Sequence, residues 1–385
     1  MRPTIIPVVA AAVVVVAVAL VVAWPEPTPP PGSPQDRSTT SSLEIPSRGE
    51  VRHVSPTGTD DNHGLSADQP LATIQAALDS ADPGTVVQLA SGIYDQDFRT
   101  VIDGRPDAPI LVTGPPDAVV RGGGAIYVVQ VNHDHHVFQG FTIDGHFGDD
   151  EPSGYRQKLL YAQGTERRSG VTGLRLLDMR ITNALDECVR LRYFAVDNEI
   201  AGNSISNCGL QDFKFDGSGK NGEGVYIGTA PDQTDDDSNP TDEPDRSSRN
   251  VVRNNRITGG GECVNLKEGT TENVVEGNTC VGPRDDDSGG IDVRGSGNIV
   301  RGNTVTDGQG VGIRLGAEEI DAGIDNDVVG NVLRDNDEGG IKFMAAPQGQ
   351  VCENTVSGSD VAVGDFADEF DADEVTAPCG GGRNA

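Results

Sequence analysis

Apolar and polar residues alternate along this chain in short bursts, and between Asn250 and Asn354 the bursts repeat. NVVRNNRI, NVVEGNTC, NIVRGNTV, NDVVGNVL and QVCENTV are five versions of one phrase. The shared asparagines, Asn255, Asn278, Asn303, Asn331 and Asn354, follow one another at intervals of 23, 25, 28 and 23 residues. An apolar residue lies three before each of them (Val252, Val275, Val300, Val328, Val351). Another lies two after (Ile257, Cys280, Val305, Leu333, Val356). Successive strand residues face opposite ways, so each phrase sends its apolar members to one side of a wall. A fixed period of this length, with β-rich phrases and glycine punctuation, predicts an all-β solenoid: a single-stranded parallel β-helix with an internal Asn ladder.

A second, shorter alternation follows each ladder phrase: CVRLR, GVYIG, CVNLK, GIDVR, GIRLG and GIKFM, beginning at residues 188, 224, 263, 290, 312 and 340. The apolar pairs Val189/Leu191, Val225/Ile227, Val264/Leu266, Ile291/Val293, Ile313/Leu315 and Ile341/Phe343 are expected to face inward. One outward column is then Arg190, Tyr226, Asn265, Asp292, Arg314 and Lys342. A second is Arg192, Gly228, Lys267, Arg294, Gly316 and Met344, and just ahead of the strands stand Glu187, Glu223 and Glu262. Stacked coils lie about 5 Å apart, so the columns form one polar wall. The ladder runs backward through Asn203 to Met179. The Asn203–Asn255 interval of 52 residues exceeds one coil. The excess falls in Gly209–Gly222 and in the acidic stretch Thr229–Arg249, two loops expected beside the wall, where long insertions tend to be functional.

The segment before the coils reads strand, polar loop, helix, turn, strand. Ile74, Ala77, Leu78 and Ala81 share a helical face, Pro83-Gly84 closes the helix and Val86–Leu89 resumes β structure. A helix here would cover the open edge of the first coil. Val54-Ser55-Pro56, Gly58, Asp60, Asn62, Gly64, Pro70, Thr73-Ile74-Gln75, Ala77, Pro83-Gly84 and Gly92-Ile93-Tyr94 together resemble the N-terminal cap of secreted right-handed β-helix proteins of the pectate lyase-like superfamily. That resemblance implies a right-handed coil.

At the N-terminus, Ile5–Trp24 is an almost unbroken apolar run behind Arg2, long enough for a signal peptide or an uncleaved membrane anchor. Residues 25–49 form a Pro-, Ser- and Thr-rich linker, 50–366 the capped β-helix and 367–385 a C-terminal tail. A secreted protein, or one held at the cell surface by its N-terminal helix, is expected, and a monomer. With Asp+Glu of 60 against Lys+Arg of 29, the formal charge of −31 argues against nucleic acid and anionic membranes as partners. Export permits disulfides among the six cysteines. Cys352–Cys379 would tie the tail to the last coil, whereas Cys280, at an inward position, is equally well read as a buried free thiol.

A long polar wall with mixed charges suits a polymer. β-Elimination from a uronate needs a base near the C5 proton and a cation on the carboxylate. Lys267, one of five lysines, is the candidate base, Arg294 or Arg192 the carboxylate partner, and Glu223, Glu262 and Asp292 candidate ligands for Ca²⁺. Arg190, Tyr226, Asn265, Arg314 and Lys342 would contact an acidic polysaccharide. The bland reading is a solvated, self-balancing surface. Residues Glu223 to Gly282 also resemble the core of the alginate lyase and chondroitinase B type of β-helix lyase. Glu223 matches that family's calcium-ligating Glu; Gly228 stands at its catalytic Lys position, and Lys267-Glu268-Gly269 at its Arg-His-Gly. The resemblance implies a lyase in which Lys267 takes over as base. A non-catalytic carbohydrate-binding β-helix and a C5-epimerase are the alternatives. Asn132-His133-Asp134-His135-His136, the acidic runs at 235–237 and 285–287, and the loop lysines Lys214 and Lys220 are weaker candidates for metal or substrate contacts.

Overall fold

The computed structural model describes residues 49–219, 222–235, 237–317 and 322–380. The apolar N-terminal run, the linker up to residue 48, Lys220 and Asp236 lie outside them. The chain separates into Met1–Glu44 and Ile45–Ala385, and the second unit carries the whole fold described below. Among the described residues no helix is long and apolar enough to cross a membrane.

The described residues of the second unit form a right-handed parallel β-helix. Three sheets of 11, 10 and 10 strands run along it, every strand pairing in parallel with its equivalents in the neighbouring coils. One coil reads Val251–Arg253 in the first sheet, Arg256–Thr258 in the second and Val264–Leu266 in the third. Register is carried residue for residue into the next coil: Val252 pairs with Val275, Ile257 with Cys280 and Asn265 with Asp292. All the apolar pairs predicted inward on the third sheet are fully buried.

The Asn ladder forms between the first and second sheets. The Asn255 backbone N–H and side-chain Nδ2 both donate to Asn278 Oδ1, at 3.0 and 2.9 Å. Nδ2 also donates to Ile200 O of the previous coil at 2.8 Å. The pattern repeats through Asn303, Asn331 and Asn354, and it starts where Met179 N donates to Asn203 Oδ1. A second ladder, not anticipated, precedes the first sheet: Asn198, Asn250, Asn273, Asn298 and Asn326, closed by Gln348. Each rung satisfies the turn amides that the bend leaves without sheet partners.

Both ends are covered. The predicted helix spans Ile74–Asp79, ending a few residues before Pro83. Thr73 caps it by accepting from Ala76 N, and Ile74, Ala77 and Leu78 face the core. At the other end Phe370 stacks on Phe343 at 3.8 Å, and helix Ala372–Thr376 inserts Val375. Cys352–Cys379 forms as expected. Cys280 is not a free thiol: it bonds Cys263, and Cys188 bonds Cys208. Cys280, on the second sheet, and Cys263, in the turn just ahead of the third, are both buried with Cα atoms 5.9 Å apart, which suits a disulfide.

Candidate functional site

The third sheet builds the wall. Its register aligns Gln130, Tyr161, Arg190, Tyr226, Asn265, Asp292, Arg314 and Lys342 in one outward column. The last six are the predicted ones. Gln130 and Tyr161 extend the column toward the N-terminus, and Tyr161 stacks on Tyr127 at 4.2 Å. The alternating phrases YVVQV and KLLYAQ were the signal for them, but the early coils lack the Asn that sets the frame.

The wall is not the solvated, self-balancing surface of the bland reading. Arg190, Tyr226, Asn265, Asp292 and Arg314 are buried, as are Glu187, Glu223 and Glu262. Over the N-terminal half an insertion supplies the cover. The Thr229–Arg249 segment lies as a strap over the N-terminal half: Arg190 Nη2 donates to Gln233 Oε1, and Arg192 donates to Asn239 Oδ1 and to Gln233 O. Asp245 anchors the strap by accepting from the Tyr193 and Phe194 amides and from Thr229 Oγ1. Glu243 latches its outer side to Arg167 and Arg168. On the other flank, Arg284 donates to Phe213 O of the 209–222 insertion.

Under the strap the charges balance. Glu187 pairs with both Arg190 and Lys158, and Lys158 also reaches Asp186 at 3.3 Å. Burial works to raise Glu187, but Arg190 and Lys158 bring it down to about 2. Arg190 also lies over the Tyr226 ring at 4.1 Å.

The centre of the wall does not balance. Burial raises Glu223 and pushes Glu262 well above the ordinary carboxylate range, each helped by a like-charged neighbour. Glu262 Oε1 accepts from Asn265 Nδ2 at 3.0 Å, but its Oε2 has no donor. Neither do Asn265 Oδ1, Glu268 Oε2 and Asp292 Oδ1. Asp292 Oδ2 is held by Arg294 at 2.9 Å and by Ser288; against its burial, Arg294, Arg314 and Lys267 keep it below its usual value. Lys267 stands among these acids, 8% exposed, its side chain making no hydrogen bond or salt bridge among the described residues. Its ammonium lies 4.8 Å above the Tyr226 ring. Arg294 is the more exposed neighbour and also faces Glu268 at 3.8 Å.

Gly228 explains why the lysine sits where it does. Its φ is +98°, and a Cβ there would lie 2.7 Å from Thr270 Cγ2 and 3.2 Å from Lys267 Cβ. No side chain fits at 228 while Lys267 fills the adjacent position of the next coil.

For Ca²⁺, the donor chemistry fits and the predicted acid set fits less well. Among the described residues no three His, Cys, Asp or Glu side chains converge closely enough to hold a metal. What adjoins is two carboxylates and an amide, Glu262, Asp292 and Asn265, each with a buried oxygen lacking a donor. Such oxygens suit a hard cation.

The remaining candidates lie elsewhere. Lys342 ends the column, half-buried, 3.7 Å from Asp287. Lys214 pairs with Asp150 and lies over Tyr155 and Phe215, away from the wall centre. In the histidine cluster, His136 is a core residue held to Ile102 O at 2.9 Å, brought down to about 4 by burial, while His133 bonds Thr100.

Three comparisons bear on this geometry. Residues 195–371, just under half of the chain, match the family model described as NosD, periplasmic copper-binding protein. Among solved structures, the alginate lyase from Paenibacillus sp. str. FPU-7 superimposes with a TM-score of 0.62 at 20% identity, covering 82% of this chain and 98% of that one. Pectate lyase Pel9A gives 0.52 at 14% identity, covering 82% and 78%. No curated protein sequence matches the chain. What the solved structures share with it is the fold, a right-handed parallel β-helix.

Proposed function

We propose that this β-helix is an exported, monomeric carbohydrate-active protein that cleaves an acidic, uronate-containing polysaccharide by β-elimination at the centre of the third sheet. The observation that carries this reading is Lys267: a nearly buried amine whose side chain makes no hydrogen bond or salt bridge among the described residues, beside buried carboxyl and amide oxygens that lack donors. Unsatisfied buried polar groups cost about 1–3 kcal/mol each, so a cluster of them marks a site rather than a scaffold. In the reaction the Lys267 side-chain nitrogen takes the C5 proton, and the C–H electron pair forms the C4–C5 double bond. The O4 bond breaks, and the leaving oxygen takes a proton from Tyr226, whose phenol burial keeps protonated. Arg294, half-buried and held by Asp292, pairs with the uronate carboxylate. Glu262, Asn265 and Asp292, with Glu223 alongside, are the residues that would hold Ca²⁺, which would add positive charge at that carboxylate.

The family description's copper does not carry over to these residues. Between residues 195 and 371 the chain has no histidine, its cysteines are all in disulfides and Met344 is the lone methionine. The matched span therefore offers copper no imidazole, no free thiolate and one thioether, too few soft donors for a site. A second reading, a non-catalytic carbohydrate-binding β-helix, is favoured by the strap over Arg190 and Arg192. Incubating the purified protein with alginate, pectate and glycosaminoglycans, with and without Ca²⁺, separates the two. We expect unsaturated uronate from one of them, reduced at least about 100-fold in Lys267→Ala. Retention on a polysaccharide column without product supports the binder, and deuterium entering C5 without cleavage an epimerase.

A further inference from the structure

Away from the strap, four successive coils leave a cavity of about 280 Å³ on the flank of the third sheet, just ahead of its strands. Its walls come from equivalent turns: Gly124–Ile126, Tyr155–Gln157, Leu185–Asp186, and Gln211 of the 209–222 insertion. Ile126 is 56% exposed, the most exposed large apolar residue among those described, and it lies at this cavity. A single exposed apolar residue is ordinary by itself; what sets Ile126 apart is its place on the rim of a polar cavity, where it offers an apolar face beside hydrogen-bonding groups.

The polar lining is balanced. Arg156 spends Nε and Nη2 on the carbonyls of Arg121 and Gly122, at 2.9 and 2.7 Å, with its guanidinium over Phe147. Nη1 is left beside Gly124, where a Cβ would lie 3.9 Å away. Asp186 supplies the opposite charge; burial raises its pKa, and Lys158 supports the carboxylate from the wall side. Gln211 has no side-chain hydrogen bond among the described residues. Donors and acceptors thus converge with one cation and one anion, over a volume at the low end for small-molecule sites.

We propose that this cavity is a second carbohydrate site that takes one or two neutral pyranose rings. Ile126 packs against the C–H face of the sugar, and Arg156, Asp186 and Gln211 share its hydroxyls. A uronate is disfavoured, because Arg156 is already committed to two carbonyls and Asp186 would face the carboxylate. The ligand class rests on the carbohydrate reading above, but the site does not depend on elimination chemistry at Lys267. Lys158 bridges Asp186 of the cavity and Glu187 of the wall, so one chain with both neutral and acidic sugars could occupy the two sites together.

The test is isothermal titration calorimetry of the full chain with cellopentaose, mannopentaose, chitopentaose and an oligouronate, in the wild type, Ile126→Arg, Gln211→Ala and Lys267→Ala. We expect at least one neutral pentamer to bind, with affinity lost roughly tenfold in the two cavity variants and unchanged in Lys267→Ala. Ile126 is a surface residue, so the unaltered thermal midpoint of Ile126→Arg shows that folding is not the cause. No binding of any neutral pentamer, or binding indifferent to both cavity variants, overturns the proposal. Loss of product in Lys267→Ala with neutral binding intact separates the two sites. Neutral binding without product from any polysaccharide upholds this site and removes the lyase.

Discussion

At the scale of single residues, Gly228 and Lys267 are one unit. The backbone at 228 has a positive φ and no room for a Cβ, so the amine of the wall comes from the next coil. Gly228→Lys is therefore expected to lower stability and leave activity no higher than wild type, read by thermal melting and product formation. Around Lys267 the acids have opposite pH signatures. Glu187, at about 2 when folded against an unfolded value near 4.5, contributes stability above the unfolded value that is lost as pH falls toward 2. Glu262 is raised, so the native state holds its proton while the unfolded chain has released it. Stability then declines as pH climbs above 4.5. Glu262→Gln removes that decline and supplies an N–H to the orphaned oxygens nearby. We expect its thermal midpoint at pH 7 to rise by about 2–4 °C and the difference to vanish near pH 4, measured by calorimetry across pH. Which side chains point outward was legible in the sequence, because strand parity fixes it: Arg190, Asn265 and Asp292 stand where alternation put them. That they are buried was not legible, since it depends on aperiodic loops whose path no periodicity encodes.

At the scale of elements, the ladders and the strap do different work. In the ladder, Asn278 accepts twice from Asn255 and donates to Val252 O and Asn303 Oδ1. Asn278→Ala would leave buried donors unpaired on one side and carbonyl oxygens on the other. It should cost about 3 kcal/mol in urea denaturation. The equivalent position at the start of the run is Met179, which has no side-chain amide and joins the ladder through its backbone N–H alone. The second ladder could have been read from Asn250, Asn273, Asn298 and Asn326, each five residues before a recognised rung. It was missed because these residues open their phrases and look like turn residues. The strap is latched on the outside by exposed Arg167 and Arg168 on Glu243, contacts worth little individually. Its inner bonds to Arg190 and Arg192 hold it down. Glu243→Ala should leave the thermal midpoint within about 1 °C, by the small worth of surface ion pairs. It should speed hydrogen exchange at the strap amides.

At the scale of the whole molecule, stacking turns a local code into a continuous surface. Each coil contributes one residue to every column, so a change of function needs only a few outward residues and an insertion, while the core phrases stay the same. This is why the fold was readable from five short phrases and a cap, and why the chemistry was readable only as columns. Disulfides follow the same logic: Cys188 and Cys263 stand immediately after Glu187 and Glu262, pinning those acids to the coil from inside. The central claim is that the wall around Lys267 receives an acidic sugar. It is tested most directly by a crystal structure of the Lys267→Ala protein soaked with an oligouronate. The account predicts a sugar ring over Tyr226 with its carboxylate at Arg294. Clear density for the wall with the strap closed, its oxygens paired only to water and no sugar bound at saturating concentration would contradict it.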